Sequence, residues 1–318
     1  IKHTRKYLLN GIVLFSIIGV IATLLLYAAR PLFPLMGRLM LGDGSDASIG
    51  EVIDLALPYF DTLIWGVLPV MIWGSVKQFL EGVGNTRIAM VTIISANALN
   101  IFLNWVFIFG KLGFEEMGAV GAGYATLISR ICQCVMLVGY FFLTPRFKQY
   151  TANLLQEARL SWRTTRKILQ VGAPISFQML MEASAFVVAG ILVLAFGATS
   201  VSAYQIGVNM MNVTFMIVIA IGSATTIICS HIYGRRNFER LRRSVNAAFQ
   251  MGLMWNISVA LIFVSLRFII PTFFTANSEV IKLTADMLIL IALFQVSDCL
   301  QALSISVLRG LQDVKIIM

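Results

Sequence analysis

The chain has 318 residues, 58% hydrophobic and 12% charged, with a net charge of +9. Soluble domains carry about 25% charged residues, so this chain has too little charge to cover a water-facing surface, and a single soluble catalytic domain is excluded. The basic surplus sits in short clusters beside apolar runs, without an interleaved aromatic patch, so it reads as a membrane topology signal and predicts no nucleic-acid partner.

A helical crossing needs about 20 apolar residues. Runs of that kind fall at 8–29, 52–80, 88–109, 118–143, 167–196, 200–233, 244–270 and 280–308. They predict an all-α, polytopic membrane protein with eight spanning helices, several long enough to tilt or protrude. Pro69, Gly172 and Pro174 are the expected bends. Seventeen of the 24 basic residues fall on one side: Lys2, Arg5, Lys6, Arg87, Arg146, Lys148, Arg159, Arg163, Arg166, Lys167, Arg235, Arg236, Arg240, Arg242, Arg243, Arg309 and Lys315. The other side holds Arg30, Arg38, Lys111, Arg267 and Lys282 among Asp43, Asp46, Glu51, Asp54, Glu115, Glu116 and Glu279. Eight alternating crossings then put both chain ends in the cytoplasm.

Residues 51–90 align without a gap on 279–318. Glu51-Val-Ile-x-Leu55 meets Glu279-Val-Ile-x-Leu283, and Leu80-x-Gly82 meets Leu308-x-Gly310. Asn85-x-Arg87-Ile88-x-Met90 meets Asp313-x-Lys315-Ile316-x-Met318. Both copies follow a helix that starts from a basic loop, so they share one orientation and form parallel repeats, as in transporters with two similar lobes. Residues 1–150 are the expected N-terminal lobe and 151–318 the C-terminal lobe. By symmetry two helices are missing from each end, the intact protein is expected to have two lobes of six, and the chain alone is expected not to transport.

A charge at bilayer depth costs about 2.5 to 3.5 kcal/mol or more and needs a reason. The candidates are Asp61, Lys77, Arg130, Glu182 and Asp298. Glu182 lies about 22 Å along its helix from Lys167, and Asp298 about 16 Å before Arg309, so both belong to the middle or outer membrane. Gln178 is one turn from Glu182, and Gln295 and Gln301 flank Asp298 at helical spacing. Two carboxylates with amide neighbours offer hard oxygen ligands for Na⁺, or a place to carry H⁺; the alternative is that they neutralise Lys77 or Arg130. Asn97, Asn100 and Asn104 form one helical stripe, Gln205, Asn209 and Asn212 another, and each is either interhelical glue or cavity lining. Met179, Met181, Met210, Met211 and Met216 offer an adaptable apolar wall.

No enzyme constellation is visible. His3 and His231 are isolated, and Gly118-Ala-Val-Gly-Ala-Gly123 opens a span, which reads as close helix packing and not as a dinucleotide turn. Cys132, Cys134, Cys229 and Cys299 lie inside apolar runs, so neither a disulfide nor a zinc site is expected.

The runs Gln78-Phe-Leu-Glu-Gly-Val-Gly-Asn-Thr-Arg87, Asn100-x-x-x-Asn104-Trp105, Gly110-Lys-Leu-Gly113 and Gly118-Ala-Val-Gly-Ala-Gly-x-Ala-Thr126 resemble the multidrug and toxic compound extrusion family, particularly its NorM-type bacterial branch. Gly172-Ala-Pro-Ile175 with Glu182, Ala203-Tyr-Gln-Ile206, and Asp298 upstream of Val307-Leu-Arg-Gly-Leu-Gln-Asp313 agree with it. The resemblance implies a twelve-helix antiporter of which helices 3–6 and 7–10 are present. It implies export of amphipathic, often cationic compounds in exchange for inward Na⁺ or H⁺, with no cofactor, in a monomer of the bacterial inner membrane. It makes Glu182 and Asp298 the cation site, and Asn100 and Asn104 part of the N-lobe cavity; Gln178, Asn209, Phe294 and Gln301 are the further candidate lining residues. Phe294 replaces the aromatic hydroxyl usual in the family one turn before the second acid. The rivals are a lipid-linked saccharide flippase of the same superfamily, which would need more cavity Arg or Lys, and a polytopic membrane enzyme.

Overall fold

The computed structural model describes residues 2–32, 47–151 and 160–313. Among these residues the regular structure is helical: α1 Lys2–Ala29, α2 Ala47–Trp65, α3 Val67–Gly82, α4 Arg87–Ile108, α5 Gly118–Leu143, α6 Trp162–Leu194, α7 Ala198–Gly234, α8 Phe238–Ser265 and α9 Ser278–Gly310. Among the described residues eight segments are long and apolar enough to cross a membrane, with Ala56–Gly82 of α2 and α3 counted as one. They coincide with the eight runs read from the sequence. Their outward faces carry Leu24, Leu25, Ile101, Met254, Leu290 and Leu293, side chains that lipid accepts and water does not. Arg38, Asp43, Asp46, Arg159, Lys315 and the far end of the second repeat copy lie outside the described residues, as do the side chains of Glu51 and Asp54.

Two compact units result, residues 1–168 and 169–318, divided inside α6. In the first, α1, α3 and α5 bury Leu8, Leu9, Val76, Leu80, Leu137 and Phe141 with Phe147. Beside this core Asn10 is 1% exposed. Its amide donates to the Lys6 carbonyl at 2.8 Å, and its oxygen accepts from the Ser161 N–H at 3.0 Å and the Thr165 hydroxyl at 3.1 Å. A buried polar group is retained when it is bonded in this way, and this one ties the start of α6 to α1.

The expected bend near Pro69 takes the form of a break at Gly66, between α2 and α3. Proline has no N–H for the carbonyl four residues back and its ring crowds that carbonyl, here the one on Trp65. A Cβ on Gly66 would lie 2.9 Å from Nη1 of Arg130, so this position also admits the arginine. In contrast α6 stays helical through Gly172 and Pro174.

Glycines of the Gly118–Gly123 run let α5 approach its neighbours. A Cβ on Gly121 would stand 2.7 Å from the Phe107 carbonyl oxygen of α4, and one on Gly123 would collide with the Thr62 hydroxyl of α2. The run is a packing surface, as small residues are between membrane helices.

In the second unit α9 packs on α7 and α8. Close approach again rests on small residues: a Cβ on Gly207 would lie 2.8 Å from Cδ1 of Ile291, and one on Gly310 2.8 Å from Cβ of Cys229. The Thr226 hydroxyl donates across the same seam to the Ser306 carbonyl at 2.8 Å.

The repeat shows in the turns. After α3, the Gly84 N–H bonds to the Glu81 carbonyl at 2.9 Å and the Asn85 N–H to the Leu80 carbonyl at 2.8 Å. After α9, Gln312 bonds to Arg309 at 3.1 Å and Asp313 to Leu308 at 3.0 Å. These are Schellman endings at matched positions, with φ of 86° at Gly84 and 62° at Gln312.

Candidate functional site: a two-carboxylate cavity

In the second unit α6, α7 and α9 enclose a cavity of about 200 Å³. Helical spacing puts Gln178 and Glu182 on one face of α6, and Asp298, Gln301 and Arg309 on one face of α9; all five line the cavity. Met179 and Phe215 supply part of its apolar wall, and Ser223, Thr226 and Ser306 add hydroxyls. Drug-sized ligands occupy cavities of about 300 to 1,000 Å³, so this volume suits an ion with a few waters.

The polar side chains form a relay. The Gln178 amide nitrogen donates to Oε2 of Glu182 at 3.2 Å, and Nη2 of Arg309 donates to Oε1 of Gln178 at 2.7 Å. Glu182, Asp298 and Arg309 all line the cavity. The cavity therefore has two negative charges and one positive. Among the described residues no three His, Cys, Asp or Glu cluster to hold a metal. A cation here would rest on two carboxylates and neutral oxygens such as the amide of Gln178 or a serine hydroxyl, the ligand type of hard ions.

Four sequence candidates, Glu182, Asp298, Gln178 and Gln301, thus meet in one cavity. Gln295 does not, although its spacing matched. It is fully buried and donates to the hydroxyl of Thr214, whose carbonyl accepts from Nε1 of Trp255 at 3.2 Å. It fastens α9 to α7, and its glue role replaces the expected place beside Asp298. Asn209 and Phe294 are exposed and stand outside this cavity's lining. Asn100 and Asn104, in the first unit, are half-buried and joined by a hydrogen bond of 3.0 Å from the Asn104 amide to Oδ1 of Asn100. The Asn104 oxygen is buried without a partner, which keeps an acceptor available for a ligand's donor.

Three charges found partners that the sequence reading did not assign. Lys77 pairs with Glu81 at 3.6 Å and lies 5.4 Å from the Trp73 ring, so a local carboxylate serves it. Arg30, counted with the outer loops, reaches Asp61 of α2 at 2.8 Å. Arg309, counted with the cytoplasmic basic cluster, turns into the cavity. Its place in the last turn of a helix suggested a loop charge; only the seven-residue-plus-four spacing from Asp298 hinted at the shared face.

The sequence model of the MatE family matches residues 1–106 and 174–318. This chain belongs to the MatE family. It is 27% identical over 306 residues to the probable multidrug resistance protein NorM of Bacillus subtilis (strain 168), covering 96% of this chain and 66% of that protein. It is 30% identical over 260 residues to the multidrug resistance protein NorM of Vibrio vulnificus (strain YJ016), covering 81% and 57%. The chain therefore spans 57% to 66% of the length of these curated relatives. Among solved structures, an outward-facing multidrug resistance MATE family transporter of the MOP superfamily superposes with a TM-score of 0.83 at 23% identity, covering 98% of this chain and 66% of that one. The MatE fold is thus shared over nearly the whole chain. MatE proteins are multidrug efflux transporters and not enzymes, and this one is a multi-pass membrane protein.

Proposed function

We propose that this MatE protein is a secondary active antiporter that exports amphipathic, often cationic compounds in exchange for inward Na⁺ or H⁺. The observation that carries the reading is the meeting of Glu182 and Asp298, from two helices, in one cavity of ionic size. Two half-buried carboxylates lining one cavity repel, and a bound cation relieves that repulsion. An ion taken from outside favours the state that releases the exported compound, and its loss to the cytoplasm resets the carrier. Each inward positive charge contributes about 2.3 kcal/mol per 100 mV of membrane potential, enough for one or two ions to drive useful accumulation. The Asn100–Asn104 pair of the first unit would offer polar contacts to the exported compound.

A flippase for lipid-linked saccharides needs several cations to hold a pyrophosphate. Lys77 is already paired with Glu81, which favours the drug antiporter. The basic bias supports an orientation with the α7–α8 loop in the cytoplasm, and the reading is of a bacterial inner membrane protein that works as a monomer. Single cysteines at Arg235 and Lys111, both exposed, check this topology in intact cells: an impermeant thiol reagent applied outside should label the Lys111 variant and spare the Arg235 variant, and the reverse result would overturn the orientation. For transport, cells producing the full-length protein should keep a cationic dye out in a manner that depends on Na⁺ or on pH when the two are varied separately. Dye accumulation equal to that of cells lacking the protein, at verified membrane abundance, would refute the antiporter reading.

A further inference from the structure

Among the described residues, Arg309 is the one positive charge lining the cavity of the second unit. Its Nη2 lies 2.7 Å from Oε1 of Gln178, and the amide nitrogen of Gln178 lies 3.2 Å from Oε2 of Glu182. Those two oxygens are ligands that a hard cation would take, and both are already engaged by donors. The arginine is incompletely satisfied there, since its Nε is buried without an acceptor.

The fold does not require an arginine at this place. The matched position of the first repeat copy is Glu81, in the same final turn and followed by the same Schellman ending. Its charge is opposite, and it is used up in a local pair with Lys77. Helix and turn therefore accept either sign. What distinguishes Arg309 is that its side chain reaches across to α6.

We infer that Arg309 is a resident counter-charge, which competes with the coupling ion for the Gln178–Glu182 end of the cavity and so sets how tightly the ion is held. The inference rests on the reading of this cavity as the coupling site. With the site empty of ion, the guanidinium holds Gln178 and offsets part of the negative charge. An arriving cation is attracted by two carboxylates and repelled by one fixed positive charge. It binds by displacing the Arg309–Gln178 bond. The same charge then helps expel the ion when the cavity opens to the cytoplasm, because Arg309 can return to Gln178. The sign of the effect is the same for Na⁺ and for H⁺, since both are cations. Arg309 acts as a positioning residue: it tunes an ion that Glu182 and Asp298 hold.

The test uses the purified full-length protein and the midpoint of the ion titration, which does not depend on how much of a variant folds. Thermal unfolding is followed while Na⁺ replaces choline at constant ionic strength; if Na⁺ leaves the wild type unmoved, pH is titrated instead. Arg309→Gln should bind the ion roughly tenfold more tightly, the scale on which one nearby charge acts in a partly screened site. Arg309→Lys keeps the charge and should stay within about twofold of wild type. In transport, Arg309→Gln should lower the maximal exchange rate while reducing the ion concentration at half-maximal rate. A residue of purely structural use would not shift that concentration downward. An unchanged or weaker ion midpoint in Arg309→Gln overturns the inference, and so does equal tightening by Arg309→Lys, which would tie the effect to shape instead of charge. A wild type with no ion midpoint, or one that Asp298→Asn leaves intact, overturns the coupling-site reading itself and the inference with it.

Discussion

The two repeat copies keep the same turn and use it for different purposes. After α3 the chain reverses through Gly84, after α9 through Gln312, with the same pair of backbone hydrogen bonds. Every polar side chain near those turns differs. Glu81 is held by Lys77 inside its own helix, whereas Arg309 reaches another helix. Gly66 interrupts the first copy, but the matched Phe294 leaves α9 unbroken. Asp61 is taken by Arg30, and its counterpart is Ile289. The comparison shows backbone chemistry held in register while the charges were redistributed, so that the second copy presents a carboxylate and an arginine together to a cavity.

Matched substitutions should break this symmetry, and the largest effect is expected at the paired glycines. A Cβ at Gly310 would stand 2.8 Å from Cβ of Cys229 and 2.9 Å from the Thr226 carbonyl, while one at Gly82 would meet nothing within 4 Å. Gly310→Ala should therefore destabilise by about 1 to 3 kcal/mol, as overpacking does. Gly82→Ala should be neutral or stabilising by up to about 1 kcal/mol. Unfolding temperatures in detergent would decide it, and no loss at Gly310 would mean that the α7–α9 seam is looser than described.

A middle-sized effect of opposite sign is expected two residues on. Gly84 and Gln312 both have positive φ, which costs a residue with a side chain roughly 1 to 2 kcal/mol. Gly84→Ala should thus lower stability by about 1 kcal/mol and Gln312→Gly should raise it by a similar or smaller amount. The same unfolding measurement applies, and a loss in both would show that the Gln312 side chain has a role the turn does not explain.

The smallest effect is expected at Glu81. Its pair with Lys77 joins residues four apart on one helix at 3.6 Å, and such pairs contribute about 0.3 to 0.5 kcal/mol. Glu81→Gln should therefore shift the unfolding temperature hardly at all and leave the ion midpoint where it was. A change in ion dependence as large as that expected for Arg309→Gln would show that the two copies share a charge role that their local pairings hide.

Periodicity and composition made the frame legible: the eight spans, the repeat and the shared depth of Glu182 and Asp298 all follow from one-dimensional spacing. Side-chain direction was the part that spacing could not supply. Its position at the end of a helix marks Arg309 as a loop charge, yet its side chain lines the cavity. Gln295 has the spacing of a cavity residue and instead serves Thr214. Arg30 and Asp61 are far apart in sequence, so their pairing depends on how the chain returns between them. The break at Gly66 was displaced from the expected Pro69 because proline disturbs the turn before it.

The central claim is that the carboxylates of the second unit hold the coupling ion. Reconstituting the full-length protein in liposomes tests it most directly, with a cationic dye as substrate and a Na⁺ or pH gradient imposed in separate arms. The account predicts that one gradient accelerates dye movement by the wild type, and that Asp298→Asn and Glu182→Gln, at equal incorporation, lose that acceleration while passive dye movement stays the same. Gradient-driven movement of undiminished rate in both variants would contradict it.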